Sequence, residues 1–378
     1  MSRIFLSKAD VTPVEERYVV DALRSGWVAP LGPDVDAFEA EMAARTGVSA
    51  AVALSSGTAA LHLALLEVGA KPGTVVVLPS MTFAASANAV TYTGADAVFV
   101  DSRTDDGNVD PDLLVEAVDT IPAEGTDVAA VMTVDLFGRC ADYAAIVPAL
   151  ADRGVPLIED AAEALGASTD ATAAGAFGRA AALSFNGNKI MTTSGGGMLL
   201  SNDAELISRA RYLSTQARQP VPWYEHTEVG FNYRMSNLLA ALGRGQLSRL
   251  DDMIQKRRAI RMRYAQAIAD IPDVRLLGSP DGLDEHQQEN CWLSCIVLGE
   301  EHPSQDQLIT SMDKQDIETR HLWKPMHLQP LYEKSRVFAN GTSEALFSRG
   351  VTLPSGSALT EGDIERVVSA LRSSLGMA

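Results

Sequence analysis

The chain has 378 residues and a formal net charge of −18 at pH 7. This length is more than one hydrophobic core usually holds, so we expect a large domain and a smaller one. The negative charge argues against nucleic acid or an anionic membrane as a partner, and an anionic substrate would need a local basic pocket. Neither a signal-like N-terminus nor an 18-residue apolar stretch is present, which predicts a cytoplasmic protein without a membrane span.

The cysteines and histidines do not suggest a metal site. Cys140, Cys291 and Cys295 lack the spacing of a disulfide framework or a zinc site, and we expect them to be buried thiols. The six histidines are dispersed, and His321 and His327 do not have the i, i+4 spacing of helical ligands. We therefore predict no bound metal.

The first two thirds of the chain alternate short apolar runs with helical patterns, as in an α/β fold. The runs are nearly continuous in apolar residues, which is typical of strands buried on both faces of a parallel sheet. They lie at 51–54, 74–78, 97–101, 128–134, 156–158, 181–185 and 198–200. Helical patterns lie at 58–68, after Asp110-Pro111, and at 142–152. We predict a mostly parallel central sheet with helices on both faces.

The pattern changes after about residue 236. We predict one long charged helix over 237–271, a strand pair at 274–277 and 291–298, and helices at 304–315 and 361–375. These elements suggest a smaller C-terminal α+β domain. The predicted division is 1–249 for the large domain and 250–378 for the small one.

Lys189 is the most informative single residue. It follows a strand-like run and the polar turn 184–188, and glycines follow at 195–197. A rigid strand behind a partly desolvated amine suits a lysine that forms a Schiff base with an aldehyde cofactor. The alternative is a surface lysine after a strand, which is commoner when a lysine stands alone.

Two acids lie about one βα unit upstream. Asp160 follows the apolar run 155–158 at the expected carboxyl end of a strand, where ligands bind in open α/β sheets. A carboxylate there could keep a pyridine nitrogen protonated and make the ring an electron sink. The alternative for Asp160 is a cap of the next helix. Glu163 lies one helical turn further and could face the same pocket.

Two further segments could contribute to the site. In 55–61 a strand ends in a small-residue turn before a helix, so free N–H groups and the helix dipole could bind an anion close to Gly57. Ser184 could donate its hydroxyl to a phosphate. Segment 230–237 is a polar, aromatic loop before a helix. Taken alone, an ordinary helix cap is the commoner explanation of both segments.

Together these motifs resemble the DegT/DnrJ/EryC1/StrS family, fold-type-I enzymes that use pyridoxal 5′-phosphate (PLP) to aminate nucleotide-linked keto-sugars. The likeness covers almost the whole chain. The motifs stand in the family's order at 27–33, 56–61, 79–83, 159–162, 184–189 and 232–237.

The resemblance implies roles around the cofactor ring. Lys189 would carry PLP as a Schiff base, Asp160 would pair with the pyridinium nitrogen, and Phe83 would stack on the ring. Glu163 departs from the family, which usually has Gln or His there, near the phenolic oxygen. Since a carboxylate repels a phenolate, Glu163 is either protonated, close to a cation, or turned away.

The resemblance also implies how the phosphate is bound. Gly57, Thr58 and Ser184 would bind the phosphate of their own subunit's cofactor. Asn232 would reach the phosphate of the neighbouring subunit's cofactor. The protein would then be a homodimer with shared active sites.

Within the family, the likeness is strongest to bacillosamine-type 4-aminotransferases, which act on a UDP-linked 4-keto-6-deoxy-N-acetylhexosamine. Segments 27–33, 184–197 and 319–330 carry this likeness. It implies substrate contacts by Trp27, Asn186, Arg320, Lys324 and His327, with Arg320 and Lys324 at the pyrophosphate and His327 at the sugar. The alternative for 319–330 is a structural loop held by its prolines.

The implied reaction has two halves with ping-pong kinetics. L-Glutamate would convert PLP to pyridoxamine phosphate (PMP), and PMP would then aminate the keto-sugar. Alternatives are a 3-keto or a GDP- or dTDP-linked substrate, a PLP-dependent sugar dehydratase, or a PLP-binding regulator without turnover. Dehydratases replace the lysine by histidine, so Lys189 disfavours them. The complete set of Lys189, Asp160 and Ser184 disfavours a regulator.

Overall fold

The computed structural model describes residues 2–377. Twelve α-helices lie in this range: α1 (Pro13–Ser25), α2 (Pro33–Thr46), α3 (Gly57–Glu67), α4 (Ala84–Thr93), α5 (Pro111–Ala123), α6 (Tyr143–Ala151), α7 (Ala204–Ser214), α8 (Asn237–Leu247), α9 (Leu250–Ile268), α10 (Gln305–Asp313), α11 (Thr342–Arg349) and α12 (Glu361–Ser374).

The same range contains fifteen strands: β1 (Ala50–Leu54), β2 (Thr74–Pro79), β3 (Asp96–Val100), β4 (Asp127–Val134), β5 (Leu157–Asp160), β6 (Ser168–Thr169), β7 (Thr172–Ala173), β8 (Ala180–Ser184), β9 (Gly197–Ser201), β10 (Val274–Leu276), β11 (Gln287–Gln288), β12 (Ser294–Leu298), β13 (Arg320–His321), β14 (Val337–Phe338) and β15 (Gly350–Leu353). Two 3₁₀ turns lie at Leu136–Gly138 and Met326–Leu328.

The central sheet has eight strands in the order β1-β9-β8-β5-β4-β2-β3-β14. Only β9 runs against its neighbours, pairing antiparallel with β1 and β8. Separate hydrophobic cores cover the two faces, and every residue of β2 is buried. This confirms the predicted α/β fold with a mostly parallel sheet and explains why its strands have nearly continuous apolar sequences.

Local signals set the helix starts that the sequence predicted. Asp110 accepts the backbone N–H groups of Asp112 and Leu113, and Pro111 occupies the first helical position of α5. Asp142 accepts the N–H of Ala145 at the start of α6. These helices therefore begin within a residue of their predicted positions.

The predicted helix over 237–271 is wrong, because two helices, α8 and α9, replace it. The helical backbone breaks at Arg249, whose side chain pairs with Asp10 and Glu15. After the break the two helices pack differently: α8 packs on α1 and α2, whereas α9 packs on α12. Helical periodicity continues through the break, so the sequence pattern did not reveal it.

The C-terminal region forms a four-stranded antiparallel sheet, β10-β12-β15-β13, with a third core beneath it. The predicted strand at 291–298 begins only at Ser294, since Cys291 has a left-handed backbone. One strand of the C-terminal region, β14, does not join this sheet and instead pairs with β3 at the edge of the central sheet. We propose a domain boundary near residues 249 and 250, where α9 begins.

Over residues 2–377, no helix is long and apolar enough to cross a membrane. All three cysteines are buried and unpaired with one another, as expected from their spacing. The same residues contain no group of three or more acidic, histidine or cysteine side chains that could hold a metal ion.

Candidate active site

A cavity of about 310 Å³ opens at the carboxyl end of the central sheet. Residues from the ends of β1, β4, β5 and β8 line it, together with the start of α4 and two tryptophans from the C-terminal half. Because parallel strands end at one edge, the fold collects side chains that lie far apart in sequence. Gly57, Asp160, Glu163, Ser184 and Lys189 all line this cavity.

One end of the cavity is built to bind an anion. Gly57 and Thr58 occupy the first positions of α3, where an N–H has no intrahelical carbonyl to bind. Ser184 lies so close that a Cβ on Gly57 would stand 3.0 Å from Ser184 Cβ. Backbone N–H groups, a hydroxyl and the helix dipole thus converge there. This donor set fits a phosphate group.

Asp160 also lines the cavity and is almost fully buried. Its Oδ2 accepts a hydrogen bond from Ser86 Oγ at 2.7 Å, and its Oδ1 accepts the Ala162 N–H at 3.2 Å. Burial raises the pKa of Asp160, while the Ser86 hydrogen bond and the Lys189 charge act in the opposite direction. A buried carboxyl in this position fits the protonated nitrogen of a pyridine ring.

The Lys189 amine lies inside the cavity, and its side chain is only 11% exposed. Its Nζ is 3.5 Å from Glu163 Oε1 and 4.1 Å from the centre of the Trp292 ring. Trp292 is oriented by a 2.7 Å hydrogen bond from its Nε1 to the Asn188 carbonyl. The Glu163 carboxylate and the face of the Trp292 ring therefore both contact the Lys189 amine.

Glu163 faces the cavity, so it has not turned away. Its Oε2 accepts the Phe137 N–H at 2.8 Å. Phe137 has φ +55°, a left-handed backbone that is unfavourable for an aromatic residue. Burial raises the pKa of Glu163, and the charge of Lys189 opposes that shift. The N–H of this strained turn thus holds the Glu163 carboxyl close to the Lys189 amine.

Two more predicted residues, Phe83 and Asn186, also line the cavity. Phe83 is 56% exposed and packs edge-on against Trp323. Its ring therefore forms part of the cavity mouth rather than its floor.

Arg320, Lys324 and His327 do not line this cavity, and their substrate role stays a prediction. Arg320 is exposed and pairs with Glu318 at 2.6 Å. His327 lies between Ser80 Oγ, 2.6 Å from its Nδ1, and Glu344, 3.1 Å from its Nε2. Of this segment, only Trp323 lines the cavity.

Trp27 and Asn232 also lie outside the cavity of their own chain. Trp27 is 46% exposed in the turn between α1 and α2. Asn232 is exposed and forms a β-bridge with Thr215 at the base of the mostly exposed loop 216–231. Its expected role at the cofactor phosphate of a neighbouring subunit stays a prediction.

Sequence reasoning missed Ser86 and Trp292, whereas Trp323 lies in the segment 319–330 that it had singled out. Ser86 lies in α4, a helix that the apolar pattern did not reveal. Trp292 precedes β12 in the C-terminal region, and no local pattern connects it to Lys189. Only the serine carried a weak signal, since it stands a few residues after the motif at 79–83.

Comparison with known proteins agrees with this geometry. The model of the DegT/DnrJ/EryC1/StrS aminotransferase family matches residues 10–372. EpsN of Bacillus subtilis (strain 168) is 43% identical over 374 residues, covering 98% of this chain and 95% of EpsN. A GDP-perosamine synthase of Caulobacter vibrioides is 36% identical, covering 98% of both chains.

A solved structure extends the likeness to the cofactor. Spr1654 of Streptococcus pneumoniae, in its PLP form, has a TM-score of 0.90 and 25% identity, covering 99% of both chains, and it was also solved in a PMP form. With a family match that spans nearly its whole length, the chain belongs to the DegT/DnrJ/EryC1/StrS aminotransferases and is a PLP-dependent sugar aminotransferase.

Proposed function

We propose that this enzyme transfers an amino group from L-glutamate to C4 of a nucleotide-linked 4-keto-6-deoxy sugar, with a UDP-linked N-acetylhexosamine as the first candidate. The observation that carries the proposal is the placement of the Lys189 amine in one cavity with a buried acid, Asp160, and a phosphate-binding helix start. These are the groups needed to hold PLP by its aldehyde, ring nitrogen and phosphate.

Each residue has a distinct role in this proposal. PLP supplies the electron sink that makes a carbon–hydrogen bond next to nitrogen acidic. Asp160 holds a proton on the ring nitrogen, and Gly57, Thr58 and Ser184 bind the phosphate. Lys189 is the one amine among the cavity-lining residues of the described chain, so its Nζ accepts and returns the proton that moves during transfer.

Glu163 acts as the proton partner of Lys189 in this scheme. Its carboxyl lies 3.5 Å from Nζ, and burial raises its pKa. It stabilises the charged amine when ionised and can donate a hydrogen bond when protonated. This removes the repulsion that a permanently charged carboxylate would exert on the phenolic oxygen of PLP.

A nucleotide-sugar substrate carries a diphosphate, and one chain offers it little positive charge. Lys189 is the single lysine or arginine among the residues that line the cavity in the described range. Cations from a neighbouring subunit would add positive charge for such a substrate, which fits the homodimer with shared sites that we propose.

The mostly exposed loop 216–231, next to Asn232, is the surface we propose for the contact between subunits. It exposes Trp223 and Tyr224, which are 60% and 80% accessible, and Arg218 stacks on Tyr224 at 4.4 Å. Large exposed aromatic rings next to a guanidinium are typical of an interface. In the dimer this loop would bring Asn232 to the partner's phosphate.

The choice of nucleotide and sugar position rests on resemblance alone. UDP is favoured by the bacillosamine-type motifs, whereas the GDP-perosamine synthase of Caulobacter vibrioides supports a GDP-linked alternative. A dTDP-linked or 3-keto substrate remains a further alternative. The Lys189 amine in the cavity disfavours a dehydratase.

The test is turnover on a panel of UDP-, GDP- and dTDP-linked 4-keto-6-deoxy sugars and a 3-keto sugar nucleotide, with L-glutamate as donor. We expect 2-oxoglutarate release and the highest kcat/KM with the UDP-linked N-acetyl sugar. Lys189→Ala should abolish turnover, whereas the exposed Lys71→Ala serves as the control. A preference for the GDP-linked sugar would replace the UDP proposal, and no turnover on any of them would refute the substrate class.

A further inference from the structure

Two acidic side chains, Asp135 and Glu159, meet in the interior next to the active site. Neither has any exposed surface. Asp135 directly follows β4, and Glu159 directly precedes Asp160 on β5, so it faces the opposite side of the sheet. Glu159 pairs with Thr133 in the sheet register, and Asp135 lies two residues beyond Thr133, where the Tyr143 hydroxyl contacts both Thr133 and Asp135. The two carboxyl groups are therefore neighbours, and each affects the pKa of the other. Two buried carboxyls in contact cannot both be charged at low cost, so the pair must hold a proton.

The surrounding donors locate that proton. Both Glu159 oxygens accept backbone N–H groups, from Gly175 and from Phe177 at 3.0 Å. On Asp135, Oδ1 accepts the Ala141 N–H at 2.9 Å and the Tyr143 hydroxyl at 2.7 Å. Asp135 Oδ2 is buried and has no donor among the described residues. The proton therefore belongs on Asp135 Oδ2, which donates it to Glu159.

The turn that begins at Asp135 supports both acids of the cavity. The Asp135 N–H donates to the Asp160 carbonyl at 3.0 Å. Two residues later, the strained Phe137 donates its N–H to Glu163 at 2.8 Å. Any shift of this turn would therefore displace Asp160 and Glu163 together.

We propose that Asp135 is a positioning residue: in protonated form it ties β4 to β5 through Glu159 and fixes the turn that orients Asp160 and Glu163. This rests on the proposed roles of those two acids at the cofactor. It applies whichever sugar is the substrate.

Among residues 2–377, no neighbouring cation is free to replace the shared proton. Besides Glu159, the titratable groups facing Asp135 are Tyr143 and Cys140, and burial raises the pKa of both. The nearby Arg139 is engaged by Asp106 at 3.2 Å and by Glu289 at 2.7 Å. The pair is thus neutralised only by a proton.

This proton makes folding stability depend on pH. Burial and the neighbouring Glu159 raise the pKa of Asp135 well above its ordinary value. The native protein then keeps a proton that the unfolded chain has already released. Stability therefore falls as the pH rises from the ordinary carboxyl range toward the raised pKa.

The experiment compares Asp135→Asn with Asp135→Ala in the full-length protein, with PLP and after its removal. Asn reproduces the protonated acid, because its amide donates to Glu159 while its oxygen accepts from Tyr143 and Ala141. Its melting temperature relative to wild type should therefore rise with pH, by a few degrees between about pH 5 and 9. Asp127→Asn, an exposed carboxylate on the same strand, is the control and should show no such trend.

The second readout is PLP retention. Asp135→Ala should weaken it about tenfold, in line with a displaced buried hydrogen bond, and Asp135→Asn should restore it. If Asp135→Ala does not fold, the melting temperatures of Asp135→Asn across the pH range still test the shared proton. If the difference in melting temperature between wild type and Asp135→Asn is the same at every pH, the two carboxyl groups do not share a proton and the proposal fails.

The position of the proton is tested by the reverse substitution. Glu159→Gln should be markedly less stable than Asp135→Asn, because its amide group would oppose the N–H of Gly175 or Phe177. The opposite order would place the proton on Glu159 and contradict the proposal. The melting experiments on PLP-free protein report on the pair even if the proposed roles of Asp160 and Glu163 fail, so the two failures are distinguishable.

Discussion

The carboxyl edge of the central sheet and the segment 319–330 carry similar sequence evidence, but only the sheet edge collects most of its predicted residues in one cavity of the chain. Both contain motifs that resemble the family. At the sheet edge, Gly57, Asp160, Ser184 and Lys189 meet in one cavity. In 319–330 only Trp323 reaches the cavity, while Arg320 and His327 bind acidic or hydroxyl groups elsewhere.

The difference lies in what determines each position. Parallel strands must end at the same edge of a sheet, so motifs that follow predicted strands converge without further information. Segment 319–330 is positioned by packing between the two sheets, which no local pattern specifies. Motifs at strand ends are therefore better guides to a site than motifs in connecting segments.

Asp160→Asn tests the sheet-edge side of this comparison most strongly. An amide cannot hold a ring nitrogen protonated as a carboxylate does, so we expect kcat to fall roughly 10²–10³-fold. The protein should keep its fold, because Asn can still accept from Ser86. Single-turnover kinetics with L-glutamate would measure the loss. A kcat within a few-fold of wild type would remove Asp160 from the proposed chemistry.

Gly57→Ala probes the phosphate end. The added Cβ would stand 3.0 Å from Ser184 Cβ and 3.2 Å from the Leu183 carbonyl oxygen, so the helix start must shift away from Ser184. We expect PLP to dissociate about tenfold more readily, which corresponds to about 1.4 kcal/mol. Equilibrium titration of PLP-free protein would measure this. Gly362→Ala is the matched control, since a Cβ there meets nothing within 4 Å. Equal affinity in both variants would contradict the phosphate site.

Trp292→Phe sharpens the comparison, because Trp292 reaches the sheet edge from the other region. Phe keeps an aromatic face for Lys189 but loses the hydrogen bond to the Asn188 carbonyl. We expect the first half-reaction to slow about three- to tenfold. Trp323→Phe is the control, because its Nε1 has no partner among residues 2–377. If both variants behave alike, Trp292 does not orient the lysine.

Arg320→Ala should have the smallest effect. Its guanidinium is exposed and its ion pair with Glu318 is at the surface, so we expect kcat/KM to change less than about twofold. Steady-state kinetics with the preferred sugar nucleotide would measure it. A rise in KM of tenfold or more would restore Arg320 as a diphosphate contact and reverse the comparison.

Much of the fold could be predicted because its signals are local. The buried strands have continuous apolar sequences, and α5 and α6 have visible caps. The break between α8 and α9 falls at Arg249, which binds Asp10 and Glu15. These partners lie more than 230 positions away, so no local pattern could reveal the contacts.

The residues of the site also divide into those that local sequence signals identified and those that they did not. Lys189 and Asp160 follow strand-like runs and were identifiable, whereas Ser86 and Trp292 reach the cavity only through tertiary packing. For Glu163, the sequence predicted a position near the pocket but left the orientation of the side chain open. The orientation depends on the hydrogen bond from the Phe137 N–H. Phe137 has a left-handed backbone, which no local motif predicted.

The most direct test of the central claim is the absorbance spectrum of the purified protein before and after L-glutamate is added. If Lys189 carries PLP in this cavity, wild type shows the band of lysine-bound PLP, and glutamate converts it to the PMP spectrum. Lys189→Ala should show no such band. A wild-type protein that stays colourless in excess PLP, or a Lys189→Ala variant with the same band and response as wild type, would contradict the account.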